Sequence, residues 1–286
     1  MDIRGKIKEI YKERIDWVHK GRYGKVLVVG GSKKYTGSVV FNAVAALRSG
    51  CDLVTVAAPV RAATIAATYL PDLITFPLEG DSLNKTHVDQ IQHLSEEANS
   101  LVLGCGLGKH NTDMIEAFIA IVNGCHIPMV LDAESLRMIG TGGQNFLAGK
   151  TVILTPHSDE FYSLTGQKVT DNVDDRVKKV KEFASYFNAT VVLKGHIDVI
   201  SDGKDVVINN TGSVYMTKGG FGDTLTGICG SLLAQGVDPF TSGVVAAYLN
   251  GKAGALAVEE HGVGVLASDL LATLPHALKQ ELESSL

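Results

Sequence analysis

The chain is poor in cysteine and aromatics and has no long unbroken apolar run. Its four cysteines, Cys51, Cys105, Cys125 and Cys229, lie scattered with no C-x-x-C spacing, which excludes a disulfide framework or a cysteine zinc site. The longest nearly uncharged stretch, residues 224–251, is broken by Gly227, Gly230, Gly236, Pro239 and Gly243. It reads as two buried helices, not as one membrane span. The first twenty residues are charged and periodic, without an apolar signal core or a cleavage pattern, so a cytoplasmic protein is expected. A basic excess is also lacking. Twenty-six Lys and Arg stand against 31 Asp and Glu, a net charge of −5, with a pI near 6.0. That excludes nucleic-acid binding through a generally basic surface. Both common nucleotide fingerprints are missing. No GxxxxGK[ST] stretch occurs, and GCGLGK at 104–109 puts Lys109 where the dinucleotide pattern needs its third glycine.

Glycine is abundant: 31 of 286 residues, about 11% against a usual ~7%. Excess glycine beside small aliphatics suits tight turns and close backbone approaches. Short β-branched runs at 25–29, 53–58, 72–76, 101–104, 128–132, 152–155 and 190–194 read as strands. Most are continuously apolar, as in a parallel sheet covered on both faces. Helical patterns lie between them at about 37–49, 60–68, 86–97, 112–122, 134–139 and 173–187. HIDVIS and DVVIN then flank Asp202-Gly203, a hairpin signal. Helices at about 222–235, 239–259 and 265–273 close the chain. The expectation is one α/β domain over 1–286 with a helical extension at 1–22. It has a mostly parallel, doubly wound sheet between helix layers and a β-hairpin near the C-terminal third.

In such sheets ligands bind beyond the C-terminal strand ends, which singles out four glycine or turn clusters. In GGSKKYTGSVVFNA (30–43), Gly37 and Ser38 open a helix whose N–H groups can meet an anion; a plain turn capped by Ser38 is the competing reading. VLGCGLGKHN (102–111) alternates glycines, through close approach by a ligand or by another backbone. TPHSDEF (155–161) ends a strand at Pro156, offers Ser158 or Asp159 as a helix cap, and leaves His157 at the strand edge as a functional histidine or a structural or surface one. In TKGGFGDTLTGICG (217–230), three glycines precede Asp223 and an apolar helix. Its N-terminus can hold a phosphate, and Asp223 can accept a proton from an attacking hydroxyl or merely cap the helix.

Taken together these blocks resemble the ribokinase-like superfamily and, within it, the ADP/ATP-dependent NAD(P)H-hydrate dehydratases. The resemblance spans nearly the whole chain. It rests on HKGxxGxxLVVGGS (19–32), YTGS (35–38), LGxGLG (103–108), TPHxxEF (155–161), KGxxDVI (194–200) and GGxGDxLTG (219–227), in family order.

The resemblance implies a ribokinase-like three-layer fold and a repair enzyme. Such an enzyme uses ATP or ADP with Mg²⁺ to dehydrate the S epimer of hydrated NADH or NADPH, through phosphorylation of the C6 hydroxyl and loss of phosphate. It implies Asp223 as catalytic and substrate-contacting, and Gly220, Phe221 and Gly222 as an anion hole, with Gly222 also near the nucleotide. Lys194, Gly195, His196, Ile197 and Asp198 fall on the adenine-nucleotide segment. Ser38, Gly106 and His157 fall on positions contacting the hydrated dinucleotide. Asn210 and Thr211 lead to the phosphate loop, and Glu160 organises metal-bound water. It further implies a homo-oligomer, a tetramer, with no nucleic-acid or membrane partner. About twenty residues before the first strand are too few for the epimerase domain fused to many relatives, so a stand-alone dehydratase is expected. Departures from the family pattern are Phe221 for threonine, where a bulky ring narrows the site; Lys218, which adds charge beside the phosphates; Cys105 for proline; and Ser38 for alanine. Two other readings stay open. One is a ribokinase-like kinase of a small alcohol, which would use the same Asp223. The other is a non-catalytic nucleotide-binding relative.

Overall fold

The computed structural model describes residues 1–140 and 144–284. Helix α1 (Ile3–Ile10) precedes β1 (Lys25–Val29), α2 (Ser38–Arg48), β2 (Leu53–Pro59), α3 (Val60–Tyr69), β3 (Ile74–Leu78), α4 (Val88–Glu96) and β4 (Ser100–Leu103). Next come α5 (Thr112–Gly124), β5 (Met129–Leu131), α6 (Glu134–Ile139), β6 (Val152–Leu154), α7 (Ser158–Thr165), α8 (Val173–Phe187) and β7 (Thr190–Leu193). The hairpin β8 (Asp198–Ser201) and β9 (Val206–Asn209) leads to α9 (Phe221–Ala234), α10 (Pro239–His261) and α11 (Ala267–Glu283). The strands form one sheet in the order β3-β2-β1-β4-β5-β6-β7-β8-β9. Pairing is parallel from β3 to β7 and antiparallel from β7 through β9.

Strand alternation divides the core. Along β1, Val26 and Val28 face one apolar cluster with α2, α9, α10 and α11, while Leu27 and Val29 face the other with α5 and α8. This two-sided burial is why the strands read as continuous apolar runs. The chain leaves β1 toward β2 on one side and returns to pair β4 on the other. The resulting switch point opens a crevice beyond the C-terminal ends of β1 and β4. The Gly31 N–H donates to the Cys105 carbonyl at 2.8 Å across it.

Three boundaries differ from the sequence reading, each for a physical reason. The N-terminal helix stops at Ile10 instead of filling 1–22. Beyond it, the Gly21 and Tyr23 N–H groups both donate to Asp52 Oδ2, with Gly21 at φ +94°, a geometry a helix cannot adopt. Strand β3 runs two residues later, through Pro77, which an edge strand tolerates. Helix α11 passes through Pro275 to Glu283. Burial of Leu270, Leu274 and Ala277 on its inner face outweighs a proline cost of about 3 kcal/mol.

Candidate active site

A cleft of about 600 Å³ lies over the C-terminal ends of β5 and β7 and the start of α9, lined by His157, Lys194, Asp198, Gly222, Asp223 and Asn250 among others. Its floor is the first turn of α9. Gly220 stands before that turn at φ +102° with no side-chain cap, so the leading N–H groups of a 14-residue helix point into the cleft unspent. Asn250 of α10 fixes the turn: its Nδ2 donates to the Phe221 carbonyl at 3.3 Å, and its Oδ1 accepts from Thr224 Oγ1 at 2.7 Å. Phe221 lines the cleft with little exposed surface. Its residue is 4% exposed and belongs to the core, which leaves its backbone at the helix end. The Lys218 ammonium does not project toward the anion position. It donates to the carbonyls of Val263 and Val265 at 2.7 and 2.6 Å, tying the loop to the α10–α11 connection.

Charge is concentrated behind this floor. Lys194 Nζ lies 2.8 Å from Asp132 Oδ1 and 3.7 Å from Glu160 Oε2, and 3.4 Å from the point a Cβ on Gly222 would occupy. An uncapped helix end and a lysine therefore converge on one spot, the requirement for an anion site. Burial works against the charged lysine, but Asp132 and Glu160 outweigh it and hold the ammonium above its ordinary pKa. Asp132 is pushed up by burial, yet Lys194 and Thr226 Oγ1, 2.9 Å from Oδ2, keep it below the usual carboxylate range. Asp223 has no such cation at contact. Burial, then the charge of Asp132, raise its pKa to about 7, against the partial opposition of Cys105, Lys194 and Ser38. Two acids a few ångströms apart are thus pushed in opposite directions, one to a fixed anion and one to a proton acceptor near neutrality.

The remaining expected residues fall around this centre. Ser38 is the first residue of α2, and the helix cap is Gly37, which makes no side-chain capping bond; the reading of Ser38 as a cap does not hold. A Cβ on Gly106 would lie 2.9 Å from Ser38 Cβ, so the two glycine loops meet at α2. The cap of α7 is His157 itself, not Ser158 or Asp159. Its Nδ1 accepts from the Asp159 and Glu160 N–H groups, while Glu160 Oε2 accepts from the His157 N–H at 2.9 Å. Asp198 is occupied inside its own turn, accepting from Gly195 N–H and from Asn209 Nδ2, both at 3.0 Å. Ile197 is half-buried and Asn210 exposed. Thr211 Oγ1 lies 2.9 Å from Asn209 Oδ1 and 3.1 Å from the Tyr248 carbonyl and donates its one proton to one or the other.

Magnesium favours oxygen donors and retained water. The one grouping of metal-type donors among the described residues is Cys105, Asp132 and Asp223. It includes a thiol and a carboxylate already neutralised by Lys194, so it fits a hydrogen-bonded network and not a magnesium shell. Glu160 is likewise spent on His157 and Lys194.

Sequence reasoning passed over Asp132 and Arg176. Asp132 follows a buried parallel strand at its C-terminal end, which was the available signal. Its neighbour Ala133 sits at φ +53°, strain of the kind found at working sites. Arg176 gave no signal within an amphipathic, charged helix.

A doubly wound sheet whose cleft gathers a helix end without a side-chain cap, the largely buried Lys194 and the acids Asp132 and Asp223 has the ribokinase-like fold. A solved ribokinase-like superfamily protein of Enterococcus faecalis matches 98% of this chain and 95% of its own, at 22% identity and TM-score 0.83. The family is settled by sequence: the model for NAD(P)H-hydrate dehydratase matches residues 26–276, and the chain belongs to that family. The ADP/ATP-dependent NAD(P)H-hydrate dehydratase of Bacillus subtilis, co-crystallised with ATP and Mg²⁺, superposes at TM-score 0.80 with 28% identity over 97% of both chains. An ADP-dependent (S)-NAD(P)H-hydrate dehydratase of Cenarchaeum symbiosum is 37% identical over 91% of this chain and 90% of its own. A bifunctional NAD(P)H-hydrate repair enzyme of Pyrobaculum aerophilum is 40% identical over 91% of this chain and 52% of its own. The chain spans about half the length of that relative and of the similar bifunctional enzymes. Among the described residues no helix is long and apolar enough to cross a membrane.

Proposed function

We propose that the chain catalyses the ATP- or ADP-dependent dehydration of the S epimer of hydrated NADH or NADPH. One observation carries the reading: Asp223 stands in the first turn of a helix without a side-chain cap, beside the largely buried Lys194, in a cleft of about 600 Å³. Hydroxide is a poor leaving group and phosphate a good one. The C6 hydroxyl gives its proton to Asp223 as its oxygen takes the terminal phosphoryl group, leaving ADP from ATP or AMP from ADP. The C6–O bond then breaks, phosphate leaves, and a proton is lost from the adjacent ring carbon to restore the double bond. The protein's part is positioning and charge neutralisation.

In this reading Gly220, Phe221 and Gly222 supply backbone N–H groups to the transferred phosphoryl group, with Lys194 beside them. Gly195 to Asp198 shape the adenine-nucleotide side through their backbone. Ser38, Gly106 and His157 face the hydrated dinucleotide. The acidic side chains nearby are engaged, so Mg²⁺ would be held by the nucleotide's phosphates and not by this chain's carboxylates, and Glu160 would serve by fixing His157 and Lys194. We further propose a cytoplasmic homotetramer.

The test is absorbance recovery of reduced nicotinamide from mixed-epimer NADH hydrate with Mg²⁺ and either ATP or ADP. Nucleotide-dependent recovery that disappears in Asp223→Asn supports the reading and identifies the donor. No recovery from folded, ATP-binding protein would sink it and point instead to a kinase of a small alcohol.

A further inference from the structure

Cys105 is fully buried in the loop that follows β4, with two acceptors at hydrogen-bond distance from its sulfur and the Asp223 carboxylate close by. Sγ lies 3.6 Å from Asp132 Oδ2 and 3.7 Å from Asn42 Oδ1. It also lies, with one oxygen of Asp132 and one of Asp223, in a cluster whose atoms are all within 4.8 Å of one another. A thiol has one proton, so it satisfies one acceptor at a time. The backbone holds the sulfur in place: the Cys105 carbonyl accepts from Gly31 N–H, and the flanking Gly104 and Gly106 both take positive φ. The groups that act on Asp223 are then Ser38 on α2, Cys105 after β4, Asp132 after β5 and Lys194 after β7, with Asn42 behind the thiol and Glu160 of α7 behind the lysine.

We propose that Cys105 is a positioning residue for the reaction, its thiol turning between Asp132, Asn42 and Asp223 to hold the reactive carboxylate in its hydroxyl-facing orientation. The proposal rests on the dehydratase reading of this site. While Asp223 is a carboxylate, the S–H donates to it and offsets part of the repulsion from Asp132. Once Asp223 has taken the substrate proton it no longer needs a donor, and the S–H returns to Asp132 or Asn42. No bond is made or broken at sulfur. Burial beside two carboxylates keeps the thiol protonated, the state in which it can donate.

The experiment compares the kcat/KM pH profiles of the parent, Cys105→Ala and Cys105→Ser. Loss of a donor to the charged form disfavours that form. The acidic limb should therefore move to higher pH in Cys105→Ala, by roughly half a unit to one unit, a three- to tenfold loss of rate below the limb. Cys105→Ser, which keeps an O–H donor, should return the limb toward the parent. Superimposable profiles for all three folded enzymes would show that the sulfur only fills space. A second measurement needs no variant at position 105. The infrared S–H stretching band of the parent, with Asp223→Asn as reference, should shift as pH passes through the Asp223 titration; a band that stays fixed overturns the proposal. Absence of dehydration in the parent would overturn the functional reading alone, since the infrared titration still reports on the thiol.

Discussion

Arg176 Nη2 donates to the carbonyl of Lys194 at 3.1 Å, from a side chain that is itself buried. That contact exists because residue 195 is glycine: a Cβ there would lie 2.6 Å from Nη2. The guanidinium thus packs under the peptide that carries the buried lysine on one side and the Asp198 turn on the other. Arg176 shapes the nucleotide segment from beneath, out of reach of the cleft's contents.

Gly195→Ala should therefore push the guanidinium from its seat and distort the 194–198 turn. We expect the KM for ATP or ADP to rise about tenfold with kcat nearly kept, the sign of lost ground-state binding. Arg176→Met should produce the same split, and the double variant should cost little more than either single one. Steady-state kinetics on the three variants checks this; additive losses would mean that the two residues act separately.

Asp223→Asn should lower kcat by about 10²- to 10⁴-fold, the usual worth of a positioned base, while nucleotide binding survives. In the parent, kcat/KM should climb with pH through about 7, where Asp223 loses its proton. The same carboxyl limits stability. Its folded pKa lies above the unfolded 3.8, so the folded state binds the extra proton, and stability falls as pH rises from about 4 to 7. Above pH 7 the full penalty is present, on the order of 4 kcal/mol at most. The inactive Asn variant should accordingly melt above the parent at pH 8 and close to it at pH 4. Thermal unfolding at the two pH values separates this from a neutral substitution.

The architecture is largely legible in the sequence. Continuous apolar runs such as KVLVV and TVVL are what parallel strands buried on both faces require, and GGFGD before an apolar helix announced an open helix end. What stayed hidden depends on distant pairings. An acid such as Asp132, between a strand and a helix, looks like a cap. Its burial is tolerable only because Lys194, 62 residues away, reaches it. A structural role is open to His157 in the sequence, but the cap it forms is not legible there, because histidine is an uncommon cap and its capping partner Glu160 looks like a metal-side acid. Lys218 and Phe221 do line the cleft, but the Lys218 ammonium is engaged by the α10–α11 carbonyls and Phe221 packs into the core, pairings that lie far off in the sequence.

Lys194→Met should test the buried pair directly. It leaves the Asp132 carboxylate, 4% exposed at its side chain, without its cation, and removal of one partner of a buried pair costs about 3–5 kcal/mol. Asp132→Asn combined with Lys194→Met should recover much of that loss, because no uncompensated charge remains. Urea unfolding of the single and double variants gives the coupling. A single variant as stable as the parent would mean that water already shields Asp132.

Gly219 and Gly220 are adjacent in the anion loop but make opposite demands. At Gly220 the backbone lies at φ +102°, and a Cβ would meet Ala267 Cβ at 2.7 Å and the Phe41 ring at 2.9 Å. Gly220→Ala therefore combines left-handed strain of about 1–3 kcal/mol with displacement of the first turn of α9, and both stability and kcat should fall. A Cβ on Gly219 would meet none of the described residues within 4 Å apart from its chain neighbours, so Gly219→Ala should unfold at the parent's temperature. Phosphoryl transfer needs the N–H groups of that turn held in fixed directions, so the kcat loss in Gly220→Ala should exceed what its lowered stability explains at a temperature where the variant is fully folded. Kinetics well below its melting point, beside Gly219→Ala, decide the matter. Full kcat in folded Gly220→Ala would show that the turn tolerates the shift and that the N–H groups of Gly220 to Gly222 do not carry the transferred group.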